Sequence, residues 1–193
     1  METLTGISPL LQMVGISAFS YAEGLPVIGS ILPGGTVALL AGSLSTTGVF
    51  SPYLAFIVIA VSSFLGDMTG FLLGKKFKEV SWIKKIVNNE KHQKSWDLFD
   101  RHVAIISIFG KLIPVVRSTP SIFAAVRGIK TRRYMIYSLL GSFLWAFVGV
   151  FLGKVLTDFL GKNAILIIFG LLVLSVIIVL FRKIIKSKKV KTL

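Results

Sequence analysis

Four ionisable side chains stand inside or beside otherwise apolar stretches of this sequence: Glu23, Asp67, Lys111 and Arg117. An ionised group at the centre of a membrane helix costs about 2.5 to 3.5 kcal/mol on insertion scales, so each needs a partner, a ligand or a task. Two are acidic and two basic. One outcome is therefore that they pair as salt bridges and hold the chain together, or that Glu23 simply lies at the water interface. A second outcome starts from the run Gly110-Lys111-Leu112-Ile113-Pro114-Val115-Val116-Arg117-Ser118-Thr119-Pro120. On an unbroken helix Lys111 and Arg117 would point about 120° apart. Pro114 interrupts the hydrogen-bond ladder, so the chain can turn and bring both cations to one pocket, where Ser118 and Thr119 add hydroxyl donors. A guanidinium grips phosphate through two parallel hydrogen bonds and an ammonium adds a point charge, which makes a phosphate monoester or diester the natural ligand. Glu23 and Asp67 cannot hold an anion while ionised. Burial favours the neutral form of a carboxyl, so these two suit gating or proton coupling.

The elements that must position these residues are membrane elements. The 193 residues are 54% hydrophobic and 16% charged, with a mean hydropathy of +0.83, well outside the range of soluble domains. Tyr134–Gly153 and Asn163–Phe181 run 20 and 19 residues without a charge, each long enough to cross about 30 Å of hydrocarbon as a helix. The net charge of +14 does not point to nucleic acid, because 18 of the 22 Lys and Arg fall in Lys75–Arg101, Arg127–Arg133 and Arg182–Lys191, each abutting an apolar segment. That is the distribution of cytoplasmic loops. The absence of cysteine excludes disulfides, thiolate metal sites and a Cys nucleophile. Met1-Glu2-Thr3-Leu4 lacks the basic start of a signal peptide, so the whole chain is expected to be mature.

Along the chain, residues 7–22 read either as a poor spanning helix or as one at the interface. Residues 24–47 carry no charge but contain Pro26, Pro33 and several glycines, the composition of a broken re-entrant hairpin enclosed by protein. A spanning helix follows over Pro52–Gly74, interrupted only by Asp67, and then the basic loop 76–102. In that loop Trp82, Ile83, Ile86 and Val87 recur at helical spacing, as in an amphipathic helix lying on the cytoplasmic leaflet or docked on the rest of the protein. Residues 103–127 form a second broken segment around Pro114 and Pro120. The spanning segment to Gly153 follows, then a C-terminal transmembrane helix over 163–182 and a basic tail over 183–193. Gly70-Phe71-Leu72-Leu73-Gly74-Lys75 and Gly149-Val150-Phe151-Leu152-Gly153-Lys154 end the two helices alike. The charge bias sends the second hairpin in from the cytoplasm and the first from outside, placing the C-terminus in the cytoplasm. The expected fold is an all-α integral membrane protein, an inverted repeat of re-entrant hairpin plus transmembrane helix (22–75 and 103–154) with a further C-terminal helix.

The motifs that carry these features resemble those of the DedA family, also described by its VTT or SNARE-associated domain. They are Glu23 with Pro26 and Leu32-Pro33-Gly34; Gly66-Asp67 with Gly70 and Gly74; the Lys111–Arg117 run through Ala124-Ala125 to Gly128; and the Gly141–Trp145 segment, in family order over most of residues 20–155. The resemblance implies paired re-entrant hairpins, translocation of undecaprenyl phosphate or phospholipid, a link to the proton motive force in several members, and essential roles for Glu23, Asp67 and Arg117. It also marks departures: Lys111 stands where the family usually has Arg, Ala124-Ala125 where Ala-Gly is usual, and Val103 where a Gly is common.

A membrane lipid phosphatase would need a His nucleophile and a His acid, but His92 and His102 both lie upstream in the basic loop, and an intramembrane Ser protease lacks its His as well. No enzyme and no cofactor are therefore expected. A proton or cation transporter could use Glu23 and Asp67, though Arg117 opposes a simple cation pore. A scaffold is the third class. The reading that results is a flippase recycling undecaprenyl phosphate across a bacterial cytoplasmic membrane, with phosphatidylethanolamine or another phospholipid as the alternative cargo. Arg117, Lys111, Ser118 and Thr119 would hold the phosphate. Partners are the bilayer and the anionic lipid, and a homo-oligomer stays open.

Overall fold

The computed structural model describes residues 8–26, 28–29, 35–77, 90–113, 117, 119–161, 163, 167 and 170. The expectations placed on Leu32-Pro33-Gly34, the Trp82–Val87 helix, Pro114, Ser118 and the tail 183–193 lie outside these residues, as does nearly all of the helix expected over 163–182.

Ser51 and Pro52 start the longer of two local programmes in the first half. The Ser51 hydroxyl accepts the Leu54 N–H at 3.1 Å, and Pro at the first helical position loses no hydrogen bond. The resulting helix, Pro52–Phe77 (α3), has 26 residues and reaches about 39 Å. Its counterpart Thr131–Leu160 (α7) has 30 residues and ends where Gly161 adopts a φ of 61° and returns its N–H to the Thr157 carbonyl. By length and composition these two are the helices able to cross a membrane among the described residues. They contain the spans expected over 52–74 and 134–153 and extend them.

All other elements are shorter. Ser8 caps and Pro9 opens Pro9–Gly24 (α1), so the segment expected as either a spanning or an interfacial helix over 7–22 is helical from Pro9, with 16 residues, below spanning length. Gly24 ends it, and Leu25, Pro26, Ile28 and Gly29 form a turn rather than helix. Thr36–Ser45 (α2) begins after Gly35, whose φ of 98° a side chain would strain. Thus among the described residues after Gly24 in the interval 24–47 the helix is α2, and α1 ends where that interval begins. After Glu90–Arg101 (α4) come Val103–Phe109 (α5), a single 3-10 turn Gly110–Leu112, and Thr119–Val126 (α6).

The packing interleaves the two halves. α1 and α6 lie against α3, whereas α2 and α5 lie against α7, and α3 and α7 pack on each other. Close approach at the crossings comes from small residues, as expected where no water drives helices together. A Cβ on Gly42 would strike the Val150 carbonyl, and one on Gly153 the Leu39 carbonyl; Gly74 likewise sits under Ala125. The buried apolar residues are correspondingly rich in alanine (Ala38, Ala41, Ala55, Ala60, Ala146), while Tyr53, Leu54, Leu65, Leu72, Phe147 and Leu152 face outward. Large apolar groups outside and small or polar ones inside is the distribution of a protein in lipid. At one end, α4 is clipped to α6: Trp96 and Phe99 meet Phe123 at 4.4 and 5.8 Å between ring centroids, and Arg127 pairs with Asp100 while covering Trp96. The Asp100 hydrogen bond holds the Arg127 guanidinium above its ordinary range.

Glycine substitutions should separate these roles. Gly153→Leu is expected to abolish the α2–α7 contact and yield protein that unfolds on extraction. Gly15→Ala, in open space on α1, should be neutral or raise stability by up to about 1 kcal/mol through helix propensity. Thermal unfolding in detergent reads both.

Candidate functional site

Each of the four intramembrane charges is delivered by a different element. Glu23 lies in the last turn of α1, Asp67 lies in the middle of α3, Lys111 sits in the 3-10 turn after α5, and Arg117 stands two residues before α6. The Arg117 N–H bonds the Ile113 carbonyl at 3.0 Å. All four side chains are buried: Glu23, Lys111 and Arg117 are 2% exposed and Asp67 3%.

They are brought together as two acid–base pairs. Lys111 Nζ lies 2.5 Å from Asp67 Oδ2, and Arg117 Nη1 lies 2.8 Å from Glu23 Oε2. The salt-bridge outcome is thus the one the side chains adopt. Each pair joins segments far apart in sequence. Glu23–Arg117 ties the end of α1 to the start of α6, and Asp67–Lys111 ties α3 to the turn after α5. Thr119 opens α6 beside Arg117, half-buried.

Several residues that complete the cluster were not singled out from the sequence. Lys111 Nζ also donates to Ser63 Oγ at 3.3 Å and to Ser142 Oγ. Ser138 Oγ donates to Asp67 Oδ2 at 2.7 Å, and Ser142 Oγ to the Ser138 carbonyl at 2.8 Å. The Tyr134 hydroxyl meets Ser138 and Ser121, with its ring stacked on Phe71 at 4.5 Å. Trp145 lies under the Arg117 guanidinium at 4.6 Å, and its far edge fills the space a Cβ on Gly35 would need. The Gly35 N–H in turn reaches the Glu23 carboxylate. The sequence does hold the signal for most of these. Ser63 precedes Asp67 by one helical turn, and Tyr134, Ser138, Ser142 and Trp145 fall three or four residues apart, forming a single polar stripe on an otherwise apolar helix.

Removing one member of such a pair leaves a buried charge alone. Lys111→Met is expected to destabilise the protein by about 3 to 5 kcal/mol, and Lys111→Met combined with Asp67→Asn by much less. Chemical unfolding of the purified protein in detergent checks this ordering.

Comparison with known proteins identifies the family. The sequence profile of the VTT domain matches residues 32–155, a span that includes Asp67, Lys111, Arg117 and the α7 serines. Inner membrane protein YghB of Escherichia coli K12 is 30% identical over 132 residues, covering 66% of this chain and 60% of that protein. Protein DedA of the same strain is 22% identical over 160 residues, covering 78% of this chain and 72% of its own length. Membrane protein YbfM of Bacillus subtilis 168 is 24% identical over 160 residues, covering 78% of this chain and 95% of YbfM. The matched region therefore spans about 60% of the length of YghB. No solved structure matches the chain. With the profile covering well over half of its residues, the chain belongs to the VTT-domain, or DedA, family of membrane proteins.

Proposed function

We propose that this protein carries an anionic lipid between the leaflets of a bacterial plasma membrane, undecaprenyl phosphate being the first candidate, with its phosphate taken up at Arg117. The observation that carries the reading is the state of the Arg117 guanidinium. It is 2% exposed, yet Nε, Nη1 and Nη2 have no hydrogen-bond partner among the described residues. The 2.8 Å ion pair with Glu23 Oε2 meets its charge through Nη1 and leaves Nε and Nη2 outside the pair. A buried guanidinium with unused N–H groups is a strong attractor for an oxyanion, and a phosphate ester supplies the planar pair of acceptors it matches.

The acids give the exchange its logic. While Glu23 is ionised it neutralises Arg117 and keeps an anion out. When Glu23 takes a proton, the guanidinium is left with an unbalanced charge in a dry site, and a phosphate headgroup can replace the carboxylate. Transport is then coupled to proton movement. The fold class expected from the sequence fits this use. We read α1–α2 and α5–α6 as two re-entrant hairpins of an inverted repeat. Their interleaved packing on α3 and α7, and the placement of Gly74 beneath α6 and of Gly149 and Gly153 beneath α2, support that reading. In this arrangement the headgroup crosses between hairpin tips and the acyl chain stays in lipid. The C-terminus then lies in the cytoplasm. The chemistry assigned here involves no covalent step.

A phospholipid such as phosphatidylethanolamine carries the same phosphate group and is the alternative cargo. Proteoliposomes reporting leaflet exchange of undecaprenyl phosphate and of phosphatidylethanolamine distinguish the two. The wild type should exchange one of them, Arg117→Ala should slow that exchange by about 100-fold, and an ionophore that collapses the proton gradient should slow the wild type. Exchange of neither lipid, with Arg117→Ala indistinguishable from wild type, would contradict the proposal. Loss of the ionophore effect alone would remove the proton coupling.

A further inference from the structure

The two buried pairs carry similar charges but are built differently. An ammonium has three N–H groups, and Lys111 donates to two hydroxyls, Ser63 Oγ and Ser142 Oγ, while Asp67 Oδ2 faces it as the ion-pair partner at 2.5 Å. Asp67 Oδ2 takes a further bond from Ser138, and Ser142 passes its own proton to the Ser138 carbonyl. Among these five residues no buried polar side-chain atom lacks a partner. In the other pair Glu23 Oε1 and all three Arg117 nitrogens lack a hydrogen bond among the described residues, and so does the buried Nε1 of Trp145, whose ring lies against the guanidinium. One pair has closed its hydrogen-bond account. The other holds open donors on two adjoining side chains, and open buried donors are the ones an incoming acceptor rewards.

We infer that the two pairs divide the work: Lys111–Asp67, fixed by Ser63, Ser138 and Ser142, is a permanent pin, and the phosphate is received by Arg117 and the Trp145 indole N–H alone as Glu23 withdraws. This rests on the anionic-lipid reading above. It removes Lys111 from the ligand contacts expected from the sequence and replaces it with Trp145. The pin joins α3, α7 and the turn after α5, so the second hairpin keeps its place while the Glu23–Arg117 contact between α1 and α6 opens. Ser63, Ser138 and Ser142 are positioning residues, because they act on Lys111 and Asp67 and not on the cargo. The chemistry of position 111 agrees. Two hydroxyl acceptors and a carboxylate gathered around one atom suit a compact ammonium, whereas a planar guanidinium would present a fork to them.

The test is equilibrium binding of undecaprenyl phosphate to the full chain in phosphatidylcholine nanodiscs, with unfolding measured on the same samples. Arg117→Gln is expected to weaken binding by about 100-fold, and Trp145→Phe, which keeps the ring and deletes the N–H, by about tenfold. The paired variant Lys111→Met with Asp67→Asn should stay within about threefold of wild type. Lys111→Arg keeps the charge and so guards against a misfolded neutral variant. It should lower stability with affinity unchanged within about threefold, because the pin is disturbed and the ligand site is not. Tighter binding by Lys111→Arg, or loss of binding by the neutral pair in folded protein, would show Lys111 on the phosphate and overturn the inference while leaving the anionic-lipid reading standing. Wild-type affinity in Trp145→Phe would likewise overturn the role of the indole. A wild type that binds no undecaprenyl phosphate, and in parallel discs no phosphatidylethanolamine, defeats both readings.

Discussion

Putting charges into an apolar interior governs this molecule. An isolated carboxylate or ammonium in low dielectric costs several kcal/mol even after relaxation, and the cost is tolerable only where an opposite charge and hydrogen bonds meet it. Glu23, Asp67, Lys111 and Arg117 come from four separate elements, so meeting that requirement dictates how the elements assemble. α1 must end where α6 begins, and the turn after α5 must reach the middle of α3. The glycine and alanine contacts then follow from the need for backbones to come close enough for those side chains to touch. Gly24 lies against Gly66 one residue before Asp67, and Gly141 lies against Ser107 one helical turn from Lys111. The polar centre and the small-residue crossings are two aspects of one packing solution.

Much of this could be read from the sequence because membrane constraints are severe. Uncharged runs of spanning length and basic clusters beside them place α3 and α7, and lone charges in such runs are conspicuous. Boundaries were less legible. The break near Pro26 and Pro33 suggested a hairpin within 24–47, whereas the chain places its helices at Pro9–Gly24 and Thr36–Ser45, because Ser8-Pro9 starts a helix whose interior serines and glycine look unfavourable until their contacts are known. Ser17, for example, satisfies itself on the Met13 carbonyl. Pairing was legible only as one of two outcomes. Charge types alone cannot say which acid meets which base, and nothing in the spacing of Ser63, Ser138 and Ser142 shows that they converge on Lys111 from two helices. The docking of Trp96 and Phe99 on Phe123 was hidden for a similar reason: a helix rich in charge, lying in a basic loop, reads as a surface feature.

The functional account depends on asymmetry between two pairs of equal charge. Had both been fully hydrogen-bonded, the cluster would be adequately explained as a structural core, since replacing such pairs with apolar residues is often neutral and their presence argues little for function. The incomplete bonding of Arg117 and Trp145 is what distinguishes a site from a brace. On the proposed reading the exchange takes place between the end of α1 and the start of α6, with α3 and α7 as the frame.

The central claim is a contact between a lipid phosphate and the Arg117 guanidinium, and a direct reading of it is the phosphorus-to-nitrogen coupling in bilayers. Protein with nitrogen-15 arginine, reconstituted with undecaprenyl phosphate, should show guanidinium nitrogens dephased by the monoester phosphorus at hydrogen-bond range. That signal should vanish in Arg117→Lys and persist in Lys111→Arg. Dephasing that survives Arg117→Lys unchanged would place the phosphate on other arginines, and the account of a buried headgroup site at Arg117 would be wrong.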